Sequence, residues 1–276
     1  MKKTTASSTD ILSGSLRDYR AMTGVNMLDR TDGFFQWQDA RRKADLWPYA
    51  KSTTTAPKTH CAARNDAGTP IKGVNFASQD YLSLSSHPNV KNAAREAIDE
   101  YGVHSAGSAA LLGNTRQSLK LERRISEFVN GRETILYPTG WSAGFAAIQG
   151  IVRPDDHVIM DVLAHSCLQE GARASTRNIH FHGHLNIKGL ERRMQRIRAN
   201  DTENGILVVT ESLFSMHSDT PDIRALRMLC DEYDATLLVD CAHDFGSIGD
   251  DGKGHMSLQN VLEKLPMMTS TSSRTF

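Results

Sequence analysis

Polar side chains that could bind a small molecule follow apolar runs at four places in this chain. They are the segment Pro138–Trp141, His165, the pair Glu211 and Ser215, and the pair Asp240 and His243. In the last of these, Leu237–Val239 lead directly into Asp240, and an imidazole follows at His243. A carboxylate at the end of a buried strand is costly unless a cation pairs with it. A protonated heterocyclic nitrogen would be such a cation.

The other places could supply the remaining contacts of the same ligand. Thr139 and Gly140 open a predicted helix, and the backbone N–H groups at a helix N-terminus bind phosphate. An imidazole at His165 could lie flat on an aromatic ring. With Asp240, this set predicts pyridoxal 5′-phosphate as the cofactor. Each residue taken singly also has an ordinary structural interpretation, such as a capped turn or a hydrogen-bonded packing residue.

The elements that would position these residues alternate between strand and helix. Candidate strands lie at 134–137, 157–161, 178–182, 206–210 and 236–240, and candidate helices at 88–101, 118–129, 141–151, 166–175, 187–199 and 222–233. This alternation predicts an α/β fold of three layers, in which helices cover both faces of a mostly parallel sheet. Ligands of such sheets bind beyond the carboxyl ends of the strands, where Asp161, Glu211 and Asp240 fall.

Residues 1–70 lack sustained periodicity and are predicted to form an N-terminal arm with one or two short helices. Several aromatic residues of the arm could cover the main domain or a second subunit, among them Phe34, Phe35, Trp37, Trp47 and Tyr49. Residues 71–276 are predicted to form the cofactor-binding major domain.

Composition limits the class of protein. Of 276 residues, 39% are hydrophobic, which is enough for a core, and 32 basic residues balance 32 acidic ones. Nothing in this charge favours nucleic acid or an anionic membrane. We predict a cytoplasmic protein with free thiols, because the chain has four cysteines without a CxxC pair, no signal peptide and no long apolar stretch.

Three histidines alternate along one predicted strand and its end: His180, His182 and His184. No further ligand at a suitable spacing supports a metal site there, so we predict none.

Six ordered blocks resemble the α-oxoamine synthase family, within the class I/II aminotransferase superfamily of fold-type I pyridoxal phosphate enzymes. The blocks are NFASQDYLSLSSHP, YGVHSAGSAALLGNTRQSLKLERRISEF, LYPTGW, DVLAHSCLQEGA, VVTESLFSMHSDTPD and LLVDCAHDFGSIG. The resemblance implies a fold-type I major domain and a homodimer. It also implies a decarboxylating condensation of an amino acid with an acyl thioester, carried on coenzyme A or a carrier protein.

For the cofactor phosphate, the resemblance implies contacts from Thr139, Gly140 and Trp141. It also matches Thr271 to a hydroxyl that contacts the phosphate. Arg274 then occupies the position of the lysine that normally forms a Schiff base with the cofactor and moves a proton. A guanidinium stays protonated and is a poor nucleophile, so arginine cannot replace that lysine.

For the cofactor ring, the resemblance implies that His165 stacks on the pyridine and Asp240 pairs with its nitrogen. His243 approaches the phenolic oxygen, and Glu211 and Ser215 occupy further positions of the cofactor site.

The expected function is a pyridoxal-phosphate-dependent acyltransferase that is impaired in this chain. Arg274 replaces the lysine, and the family's C-terminal domain has no counterpart before Phe276, so we expect a C-terminal truncation. One alternative is a non-catalytic subunit that pairs with an active homologue. A second is another fold-type I activity, such as transamination or amino-acid decarboxylation.

Overall fold

The computed structural model describes residues 8–270. The backbone separates into two units, Met1–Ser78 and Gln79–Phe276. In its described part, the first unit has three α-helices and a three-stranded antiparallel sheet in the order β1-β2-β3. These elements are α1 (Ser8–Ser13), α2 (Leu16–Tyr19), α3 (Asp32–Lys43), β1 (Ser52–Thr53), β2 (His60–Arg64) and β3 (Pro70–Val74).

An aromatic cluster organises this first unit. Trp37 and Trp47 are buried, and the Tyr19 ring stacks on the Trp37 ring with 5.0 Å between centroids. The indole of Trp37 also donates a hydrogen bond to the carbonyl of Gly14 at 3.1 Å. The sequence did not predict the sheet, because every residue of β3 is exposed and so no alternation of apolar and polar residues marks it.

The second unit contains a five-stranded parallel sheet in the order β5-β4-β6-β7-β8. Its strands are β4 (His157–Asp161), β5 (Asn178–His182), β6 (Ile206–Glu211), β7 (Thr236–Asp240) and β8 (Met267–Thr269). Its helices are α4 (Pro88–Tyr101), α5 (Arg116–Phe128), α6 (Gly140–Gln149), α7 (Ser166–Ser175), α8 (Ile187–Arg198), α9 (Ile223–Glu232) and α10 (Gly254–Leu258). The predicted helices, and four of the five predicted strands, are confirmed to within two residues at either end.

Successive strand residues enter two hydrophobic cores on opposite faces of the sheet. Val158 of β4 packs in one core with Leu168 of α7, whereas its neighbour Ile159 packs in the other with Leu190 and Met194 of α8. All of these side chains are fully buried. Helices therefore cover both faces, which confirms the predicted three-layer α/β/α arrangement and explains the continuous apolar runs of the strands. No helix in the described part of the chain is long and apolar enough to cross a bilayer.

Residues 134–137 do not form the predicted strand. A strand requires a neighbour to share its ladder of hydrogen bonds, and in residues 8–270 the segment has none. Among these residues, strand β8 pairs only with β7. A groove of about 810 Å³ lies between the 134–137 segment and β8. Tyr137 and Pro138 line one side of the groove, and residues 266–270 line the other. The strand prediction for 134–137 was wrong because it used only the local run of apolar residues, and a local run does not show whether a neighbouring strand is present.

A buried carboxylate after β7 fixes the loop that leads to α10. Asp244 is fully buried and accepts hydrogen bonds from Ser212 Oγ at 2.6 Å and from the backbone N–H of His255 at 2.7 Å. Gly254 has a φ of +69°, and a Cβ there would lie 2.5 Å from Asp244 Oδ2. Glycine is therefore needed at 254 both for its backbone conformation and for the approach of the carboxylate.

We expect Gly254→Ala to destabilise the chain more than Gly252→Ala. Both positions have positive φ, which costs a residue with a side chain about 1–2 kcal/mol. Only at 254 does the new methyl group also overlap a buried carboxylate, which should add about 1–3 kcal/mol. Urea denaturation measures both variants, and equal losses of stability would show that the contact with Asp244 does not matter.

Candidate functional site

The carboxyl ends of three neighbouring strands bring three buried carboxylates to one edge of the sheet. Asp161 ends β4, Glu211 ends β6 and Asp240 ends β7, and they are 1%, 4% and 9% exposed. Glu211 and Asp240 are directly opposite each other in the parallel register of β6 and β7. The sequence predicted this edge as the ligand site, and the structure brings these candidates together there.

Glu211 connects two loops of the site. Its carboxylate accepts hydrogen bonds from the backbone N–H groups of His165 and Ser215, which belong to the loops after β4 and β6. Burial, followed by the charge of Asp240, raises the pKa of Glu211 to about 8. The two adjacent carboxylates therefore favour binding of a proton or of another cation.

The charge of Asp240 also affects Cys167 in the first turn of α7. Burial, followed by the charge of Asp240, raises the pKa of the Cys167 thiol to about 12. One carboxylate oxygen of Asp240 accepts the backbone N–H of Ala242 at 3.1 Å. This contact holds the carboxylate at the start of the loop after β7.

His165 and Trp141 form neighbouring walls of the site. The two ring centroids are 5.9 Å apart, and the ring planes are inclined at 76°. His165 caps α7, because its Nδ1 accepts the backbone N–H of Cys167 at 3.3 Å. Helices α6 and α7 approach closely at Gly144, where a Cβ would lie 2.7 Å from Cys167 Sγ. The small residue thus lets the His165 and Trp141 rings meet.

Thr139 caps α6, the helix that the sequence predicted to start there. Its Oγ1 accepts the backbone N–H of Ser142 at 3.1 Å. The first intrahelical bond runs from the N–H of Ala143 to the carbonyl of Thr139. The N–H groups of Gly140 and Trp141 precede that bond, and such groups at a helix start are suited to an anion.

His243, which is half-buried, is held by a residue to which the sequence assigned no role. Tyr81 Oη lies 2.8 Å from His243 Nδ1, and the ring centroids are 6.4 Å apart. Tyr81 belongs to the block NFASQDYLSLSSHP, so the resemblance marked its segment but not its side chain. The contact thus links the segment before α4 to the loop after β7, which contains His243.

A second unpredicted contact holds the loop that contains Ser215. His184 Nδ1 lies 3.0 Å from Asp161 Oδ1, and its Nε2 lies 3.0 Å from Asp219 Oδ2. Burial would lower the pKa of His184, but the two carboxylates raise it above its ordinary value. The imidazole links the end of β4 to the loop after β6.

The three alternating histidines do not converge. His180 contacts His157, whereas His182 Nδ1 lies 2.8 Å from the carbonyl of Gly183. The part of the chain that the structure describes contains no group of three or more His, Cys, Asp or Glu side chains that could hold a metal ion. Thr271 and Arg274 lie outside the described residues.

Comparison with known proteins gives consistent matches. The family model of aminotransferase class I and II matches residues 71–276. The chain is 32% identical over 196 residues to an 8-amino-7-oxononanoate synthase of Pectobacterium atrosepticum, covering 71% of this chain and 50% of that protein. It is 31% identical over 199 residues to a serine palmitoyltransferase of Sphingobacterium spiritivorum, covering 72% and 49%. The chain thus spans about half the length of the curated relatives it matches.

Solved structures agree on the fold. A serine palmitoyltransferase of S. paucimobilis that contains PLP and myriocin aligns with a TM-score of 0.82 and 23% identity. The alignment covers 90% of this chain and 61% of that chain. The predicted fold class is confirmed, as is the resemblance read from the six sequence blocks.

We expect Glu211→Gln to flatten the pH dependence of stability. The pKa of Glu211 rises from 4.5 to about 8 on folding, so the folded chain holds a proton that the unfolded chain loses between these values. The free energy of unfolding therefore falls as pH rises through this window, by at most about 1.4 kcal/mol per pH unit. Glutamine has no such proton, and this part of the decline should disappear.

Urea denaturation at a series of pH values measures the effect. The matched control is Glu232→Gln, which neutralises an exposed glutamate and should keep the wild-type slope. If Glu211→Gln keeps that slope as well, a group other than Glu211 binds the proton.

Proposed function

The chain belongs to the aminotransferase class I and II family, and from this premise we propose that it binds pyridoxal 5′-phosphate at the strand ends of β4, β6 and β7. The observation that carries this proposal is the buried pair Glu211 and Asp240. Burial, followed by the charge of Asp240, raises the pKa of Glu211 to about 8. A protonated ring nitrogen would place a positive charge beside these carboxylates, so the chemistry of these residues fits the cofactor.

The remaining contacts also fit a phosphorylated aromatic ring. Thr139, Gly140 and Trp141 would hold the phosphate at the start of α6, where the N–H groups and the helix dipole favour an anion. His165 would cover one face of the ring, and its backbone N–H is fixed by Glu211. His243, held by Tyr81, would lie near the phenolic oxygen.

The proposed reaction is acyl transfer to an amino acid with loss of carbon dioxide. When bound, pyridoxal phosphate supplies an electron sink for a carbanion at the amino acid's α-carbon. Asp240 would keep the ring nitrogen protonated, and Glu211 and Ser215 would hold the loops around it. The acyl donor would be a thioester of coenzyme A or of a carrier protein. The names of the two curated relatives support this class of reaction over transamination.

Arg274 is the residue that decides whether this chain is active. In the family pattern its position belongs to the lysine that attaches the cofactor and moves a proton, and arginine does neither. We therefore propose that the chain holds the cofactor without covalent attachment and that its activity is impaired. A non-catalytic role beside an active homologue is the alternative that the same residue favours.

A homodimer, or a heterodimer with a homologue, is proposed from the family resemblance. A reducing, cytoplasmic location is proposed from the cysteines. Cys61, Cys167, Cys230 and Cys241 are all free thiols.

Asp240→Asn should weaken binding of pyridoxal phosphate by about a hundredfold, because it removes one partner of a buried charge pair. Isothermal titration calorimetry measures the dissociation constant of the full chain. Asp250→Asn, which neutralises an exposed carboxylate ten residues later, is the matched control and should bind like the wild type. A folded Asp240→Asn chain that binds with unchanged affinity would contradict the proposed cofactor site.

Arg274→Lys should restore covalent attachment. Each chain is mixed with pyridoxal phosphate, treated with borohydride and digested, and the modified residue is identified by mass spectrometry. The wild type should show no modification at 274, whereas the lysine variant should be modified there. Arg224→Lys, which introduces the same amine on α9, controls for unspecific labelling. If the variant is not labelled at 274 although it binds the cofactor, the position has been assigned wrongly.

A further inference from the structure

A second polar pocket lies at the outer end of the sheet, beside β5. It has a volume of about 260 Å³ and is lined by the end of β5 on one side and the first three turns of α8 on the other. We call it the arginine pocket, after Arg192, Arg193 and Arg196; His182 and Asn186 also line it. Its lining contains no Asp or Glu.

Several other arginines on the helices of this unit have partners for their guanidinium groups. Arg173 pairs with Glu170, and Arg227 pairs with Asp231. Arg198, also on α8, donates to the carbonyls of Tyr233, Asn204 and Asp234.

Within residues 8–270, by contrast, Arg192, Arg193 and Arg196 have neither an ion pair nor a side-chain hydrogen bond. Positive charge is therefore concentrated in the pocket without internal compensation. In agreement, Arg193 contributes, after burial and His157, to lowering the pKa of His180 on β5.

Neutral groups of the pocket add hydrogen-bonding capacity. Asn186 Oδ1 accepts the backbone N–H of Gly189 at 2.9 Å, so its NH2 group remains a donor in the lining. His182 is only 8% exposed, and its Nδ1 lies 2.8 Å from the carbonyl of Gly183, a contact in which the ring nitrogen is the donor. These contacts fix the wall opposite the arginines.

We propose that the arginine pocket binds a phosphate group, either free or carried by a larger molecule. A guanidinium presents paired N–H donors that match the oxygens of phosphate, and three of them converge here without a carboxylate to compete. The pocket is large enough for such a group. The site is separate from the Thr139 end of α6 and goes beyond the proposed function, because it depends on no step of that reaction.

The test uses the full chain, without added cofactor, in calorimetric titrations with two probes. Inorganic phosphate represents a free ligand, and adenosine 3′,5′-bisphosphate represents phosphate on a nucleotide. Saturable binding of at least one is expected. Arg193→Gln and Arg196→Gln should each raise its dissociation constant about tenfold, because each removes a charged hydrogen bond. Tighter binding of the bisphosphate would identify a carried phosphate as the ligand, and equal or weaker binding would identify free phosphate.

The matched control is Lys188→Gln, which removes one positive charge from an exposed position of α8 outside the pocket lining. It should leave both dissociation constants within about twofold of wild type, since only the general field changes. The proposal is wrong if neither probe binds saturably, or if the control loses as much affinity as the pocket variants.

A second measurement distinguishes a loss of binding from a loss of folding in the variants. The rise in Tm that the bound probe causes should shrink in the pocket variants, while the Tm without the probe stays at the wild-type value. An undiminished rise in Arg193→Gln and Arg196→Gln would place the bound phosphate elsewhere and overturn the proposal.

Discussion

Two buried carboxylates on adjacent parallel strands impose the constraint on which the candidate site depends. Glu211 and Asp240 are opposite each other in the register of β6 and β7, and almost no solvent reaches either. Negative charges so placed repel strongly because little water screens them. Burial first, and the charge of Asp240 second, raise the pKa of Glu211 to about 8. The pair therefore determines which ligands suit the site: those that bring a positive charge into it.

The loops around this pair are held mainly by carboxylates at strand ends. Glu211 binds backbone N–H groups from two loops, Asp161 binds His184 and the N–H of Leu185, and Asp244 binds Ser212. Asp161 and Glu211 end buried strands, and Asp244 is in the loop that follows β7. The rigid sheet thus fixes the loop residues that would contact a ligand, and rigidity of this kind is what a binding site requires.

Charge is segregated along the same edge of the sheet. Carboxylates occupy the ends of the central strands, while Arg192, Arg193 and Arg196 of α8, which have no ion pair within residues 8–270, lie beside the outer strand β5. A net charge of zero for the whole chain conceals this separation. The balanced composition gave no reason to expect a polyanion as partner, and it did not reveal a local pocket of positive charge, because composition carries no information about position.

Sequence patterns predicted a mostly parallel sheet, its covering helices and the strand-end edge where the candidate site lies, because buried strands and capped helices leave local patterns of apolar and polar residues. Thr139 and the strand-end residue Asp240 were proposed as site residues in this way. Which distant groups meet could be learned only from the folded chain. The contact between Tyr81 and His243 joins residues 162 positions apart, the three strands of the first unit pair without any burial pattern, and 134–137 has a strand's sequence but no partner. Pairing across space depends on the whole chain, so no local pattern encodes it.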